Sequence, residues 1–127
     1  LATCIRETRE ECGLELSPYD LRRELPPTTA GNALGSRRHE AASRLSQPVH
    51  VAPFLFEIAP GAPPRLRLDP LECAAAHWAP ESYLRDPAAR AFITPLPDAE
   101  KRFPSILFEG GHIWGFTYKV LEELLKL

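Results

Sequence analysis

The stretch "RETREECGL", Arg6 to Leu14, decides how the rest of this chain is read. It sets three glutamates and two arginines on helix-forming sequence and stops at a glycine. An α-helix advances about 100° per residue, so Glu7, Glu10 and Glu11 fall in one narrow sector with their carboxylates about a turn apart. Like charges at these spacings repel. Arg6 can pair with Glu10 at the i,i+4 spacing and Arg9 lies nearby, but two arginines do not easily satisfy three carboxylates. One reading is a solvated face whose ion pairs are worth a few tenths of a kcal/mol. The other is a face that holds a hard divalent cation. Magnesium takes oxygen ligands, keeps several waters and is commonly shared between one or two carboxylates and substrate phosphates.

The 127 residues suit a single domain with a core of its own, spanning 1–127, and 44% of them are hydrophobic. Fourteen prolines, seven glycines and a formal charge of -2 describe a loop-rich protein whose composition offers no basic tail for a nucleic-acid polymer. No apolar run approaches the length of a spanning helix, and no secretory leader is legible, so the expectation is a soluble, intracellular protein without membrane contact. Cys4, Cys12 and Cys73 are odd in number and form no CxxC pair, which argues against a disulfide framework or a structural zinc site. The chain starts at leucine and contains no methionine, which suggests a fragment of a longer product.

Working outward, residues 2–12 are expected to be helical, with Leu1, Ile5 and Thr8 along one side and Gly13 as the stop. Residues 15–48 carry Pro-Pro, Thr-Thr and Gly-Asn clusters and read as a long loop or insertion with one short helix near 38–45. "VHVAPFLFEI" (49–58) reads as a buried strand in which Pro53 marks an edge or a bulge. "LRLDPLECAAAHWAP" (66–80) suggests a short strand, a turn at Asp69 and Pro70, and a second strand through Trp78, with a small helix starting at Pro80. "SILFEGGHIWGF" (105–116) offers two strands around a Glu-Gly-Gly turn. "TYKVLEELLKL" (117–127) closes the chain as an amphipathic helix with Val120, Leu121, Leu124 and Leu125 as its buried stripe.

The order of residues in "RETREECGL" resembles the second half of the Nudix box: Arg-Glu, an aliphatic residue, any residue, Glu-Glu, any residue, Gly and an aliphatic residue. Arg6, Glu7, Glu10, Glu11, Gly13 and Leu14 match, and Thr8 departs from the aliphatic position. The glycine and glutamate of the first half would precede residue 1, as would the strands that lead into the box, so the resemblance implies a domain incomplete at its N-terminus. "DPLECAAAHWAPESYL" resembles the strand and helix that follow the box. "HIWGFTYKVLEELL" resembles the IWG-x-T segment and final helix of the coenzyme A pyrophosphatase-like branch.

This resemblance implies an α/β fold, an α/β/α sandwich around a mixed sheet, and metal-dependent hydrolysis of a diphosphate linkage in a nucleotide derivative such as coenzyme A. Glu7, Glu10 and Glu11 would hold Mg²⁺ or Mn²⁺, and Arg6 would fix a glutamate by ion pairing. Glu7 would also be a candidate general base, with Glu109 or another acidic residue on a later loop as the alternative. A non-catalytic Nudix-like module that binds a nucleotide or a protein partner is the competing reading. Strands missing from the sheet would leave an open edge, which makes a homodimer, or aggregation, plausible.

Other residues carry weaker signals. His50 and His112 flank strands without a paired carboxylate or cysteine spacing. Trp78 and Trp114 are expected in the core rather than stacked on a base. Arg37, Arg38 and Arg44 read as a solvated basic run.

Overall fold

The computed structural model of the chain describes residues 1–30, 49–95 and 101–127. Helices and antiparallel sheets alternate along it, which agrees with the α/β class in its coarse form. The described elements are α1 (Ala2–Cys12), β1 (Leu21–Glu24), β2 (Thr28–Ala30), β3 (Val49–Val51), β4 (Phe54–Phe56), α2 (Glu81–Arg85), β5 (Arg90–Ile93), β6 (Phe103–Phe108), β7 (Gly111–Trp114) and α3 (Gly115–Leu125). They fall into two compact units, Leu1–Pro27 with Ala52–Trp78, and Thr28–Val51 with Ala79–Leu127. Among the described residues no helix is long and apolar enough to cross a membrane.

In the first unit, α1 is followed by a 3-10 turn at Pro18–Asp20 that the sequence closes on itself. The Ser17 hydroxyl accepts from the Tyr19 amide at 3.2 Å, and the Ser17 amide donates to Asp20 Oδ2 at 2.7 Å. β1 then pairs antiparallel with β4, with a register shift between Leu21 and Arg23. Arg22, at that irregularity, donates through Nε to Glu57 Oε2 at 2.7 Å. Leu25 is buried, and its amide donates to the Pro53 carbonyl at 2.9 Å.

Residues 15–48 are therefore not loop throughout, since β1 and β2 both lie in their described part. The short helix expected near 38–45 falls outside the described residues. The strand expected over 49–58 is two strands, β3 and β4, separated at Ala52 and Pro53. Proline has no amide to donate to a ladder, so the strand breaks where the sequence marked an edge or bulge. The strands expected on either side of Asp69 are absent: only the turn is present, held by Asp69. Its carboxylate accepts from the Leu71 amide at 2.9 Å, and its carbonyl accepts from the amides of Glu72 and Cys73.

The second unit contains a β2–β3 pair and a three-stranded antiparallel sheet in the order β5-β6-β7. β6 and β7 are joined by the two-residue turn Glu109-Gly110, with φ of 48° and 76°, and Gly111 already pairs with Phe108. Positive φ at both central positions is the geometry that matches the twist of a tight hairpin. β5 is not among the strands expected from the sequence, because "RAFI" is short and follows the 3-10 turn Pro87–Ala89 directly.

α3 starts two residues earlier than expected, at Gly115, whose φ of 65° lets β7 pass into the helix without a loop. Its inner side meets the sheet through a core of Leu84, Ala89, Ile106, Tyr118 and Leu125, with Ile113, Leu121 and Leu124 packed against it. Val120, expected in that stripe, is half-buried, and Tyr118 is buried. The C-terminal carbonyls of α3 are met in two ways: Arg85 donates through Nη1 to the Leu125 carbonyl, and the Leu127 amide donates to Glu122 at 3.2 Å.

Ile106 is the fully enclosed side chain at the centre of this core, at 0% exposure, whereas its neighbour Leu107 is 44% exposed. Ile106→Ala is expected to lower stability by about 2–5 kcal/mol, and Leu107→Ala by well under half of that. Urea denaturation midpoints of the two variants check this ordering.

Candidate functional site

α1 is the element on which the sequence-predicted site residues stand. None of its residues is buried, and its acidic side is open to water. The i,i+4 pair is formed: Arg6 Nη1 donates to Glu10 Oε2 at 2.6 Å. The same guanidinium reaches Glu7 Oε1 through Nη2. Arg6, Glu7 and Glu10 have side chains 53%, 44% and 48% exposed, so these contacts are screened and each contributes only tenths of a kcal/mol. Glu11 is half-buried on the same helix.

The departures and endings of the motif have local explanations. Thr8 stands where the Nudix pattern has an aliphatic residue, and its hydroxyl donates to the Cys4 carbonyl at 2.8 Å, so its polar atom is satisfied within the helix. Cys12 Sγ lies 3.0 Å from the Thr8 carbonyl as donor. The three cysteines are half-buried free thiols.

α1 ends at Gly13, with φ 69° and ψ 16°, whose amide donates to the Arg9 carbonyl at 2.9 Å. An α-helix leaves its last carbonyls without intrahelical donors. Here the Arg67 amide donates to Cys12 at 2.8 Å and the Asp69 amide donates to Glu11 at 2.9 Å. The segment leading into the Asp69 turn thus anchors the end of α1 that carries Glu10 and Glu11. Residue type at 67 and 69 leaves no trace of this, because both bonds are made by backbone groups. A Cβ on Gly13 would lie 2.8 Å from Arg67 Cβ and 3.1 Å from the Arg67 carbonyl oxygen. Glycine is needed there twice over, for the left-handed conformation and for the close approach.

In donor chemistry, three carboxylates on one helix face suit a hard cation such as Mg²⁺ or Mn²⁺. In arrangement they do not form a cage. Arg6 engages Glu7 and Glu10, and among the described residues no group of three His, Cys, Asp or Glu side chains is placed to hold a metal ion.

The remaining candidates lie apart from α1 in sequence and role. Glu109 is an exposed acid at the tip of the β6–β7 hairpin. His50 stands in β3 opposite Thr29, and His112 in β7 opposite Leu107. The His112 ring is engaged, its Nδ1 lying 2.9 Å from the hydroxyl of the buried Ser105. Trp114 is half-buried and tilts against Phe103 with ring centroids 5.8 Å apart. Trp78 is not core: it is 44% exposed, and its indole donates to the Pro64 carbonyl at 3.1 Å. The strand that was to bury it does not form, which is the reason for the difference. Arg37, Arg38 and Arg44 lie outside the described residues.

No protein-family model matches the chain, and comparison with curated proteins and with solved structures gives no significant match either.

Gly13→Ala is expected to cost about 1–2 kcal/mol for the left-handed backbone alone, plus the displacement of Arg67. Gly110→Ala, with a similar φ and open space around it, carries only the first cost. Denaturation midpoints should rank Gly13→Ala as the more damaging, and the Arg67 and Asp69 amides should exchange faster in it alone.

Proposed function

We propose that the chain is a Nudix-type domain of α/β/α sandwich architecture that hydrolyses a diphosphate linkage in a nucleotide derivative, coenzyme A or its derivatives being the first candidates. The observation that carries this reading is α1 itself: Arg6, Glu7, Glu10, Glu11, Gly13 and Leu14 occur in the order of the second half of the Nudix box, on a helix that ends in a left-handed glycine. The β7–α3 junction, where Ile113, Trp114 and Gly115 pass directly from strand to helix, supports the branch resembling coenzyme A pyrophosphatases.

In this reading Mg²⁺ or Mn²⁺, when bound, would supply neutralisation of phosphate charge and a lowered pKa for the attacking water. The chain's own residues do the rest. Glu7, Glu10 and Glu11 are the carboxylates that would hold the ion. Arg6 is a positioning residue that orients Glu7 and Glu10 through charge-assisted hydrogen bonds. Gly13, with the amides of Arg67 and Asp69, fixes the end of the helix on which Glu10 and Glu11 stand. Glu7 is the candidate on α1 to take the proton of the water.

One observation favours a second reading. The acidic face is already partly neutralised by Arg6, with no convergent set of three ligands among the described residues. A module that binds a nucleotide or a protein partner without turnover satisfies that geometry as well.

The test is product release from coenzyme A, ADP-ribose and a diadenosine polyphosphate, with and without Mg²⁺. Release that requires the metal is expected. Arg6→Ala should lower it about ten- to a hundredfold, as loss of a partner that orients metal ligands does, and Glu10→Gln and Glu11→Gln at least as far. Metal-independent release, or unchanged rates in the variants, would contradict the hydrolase. Substrate binding without product would select the second reading.

A further inference from the structure

We draw no further inference here: the strongest candidate, the Ser105–His112 side-chain pair across β6 and β7, carries nothing because Ser105 is buried at 1% exposure and the pair is accounted for by the need of a buried hydroxyl for a partner.

Discussion

The end of α1 is where backbone geometry and candidate chemistry meet. Two carbonyls that an isolated helix would leave to water, those of Glu11 and Cys12, accept from the amides of Asp69 and Arg67. The approach is possible because residue 13 has no side chain, and a Cβ there would meet Arg67 within 2.8 Å. Asp69 adds to this by closing its own turn with its carboxylate. The result is a helix with no buried residue that is nevertheless held at the end carrying Glu10 and Glu11. An amphipathic helix ordinarily gains its stability from a packed face. For α1 these terminal hydrogen bonds add to what its half-buried side, with Cys4, Ile5 and Thr8, contributes.

On that helix, electrostatics sets the choice between a solvated face and an ion site. Three carboxylates within one sector repel, and a single guanidinium answers two of them. Contacts this exposed are worth about 0.2–1 kcal/mol. In the proposed reading, a doubly charged ion would displace Arg6 contacts at small cost, and its reluctance to shed water would be met better by carboxylates and substrate phosphates together than by carboxylates alone. The ion and the diphosphate would then bind as a set. Arg6 relieves repulsion between Glu7 and Glu10, and in that reading it would also orient carboxylates in the loaded protein.

The parts legible in the sequence are those in which a side chain dictates its own local structure. Gly13 ends α1, Pro80 precedes α2, the acid-glycine pair makes the β6–β7 turn, and the leucines of α3 face the core. What was not legible depends on partners far away in sequence. β1 is polar on its face and becomes a strand by pairing with β4, residues 30 or more positions later. "LECAAAHW" has the composition of an apolar strand but finds no ladder, which leaves Trp78 half in water with its indole on Pro64. The anchoring of α1 by residues 67–69 could not be read at all, because amides and carbonyls are the same at every residue. The candidate site was legible as a row of charges; the grip of Arg6 on both Glu7 and Glu10, rather than on one, was not.

Paramagnetic Mn²⁺ broadens the NMR signals of nuclei close to it and leaves distant ones sharp. Titrated into the chain with a diphosphate present, it should selectively broaden the amide signals of residues 7–11, and far less so when Glu7, Glu10 and Glu11 are replaced together by glutamine. Sharp α1 signals at saturating Mn²⁺, or equal broadening in the triple variant, would contradict a divalent ion bound between these carboxylates and the diphosphate.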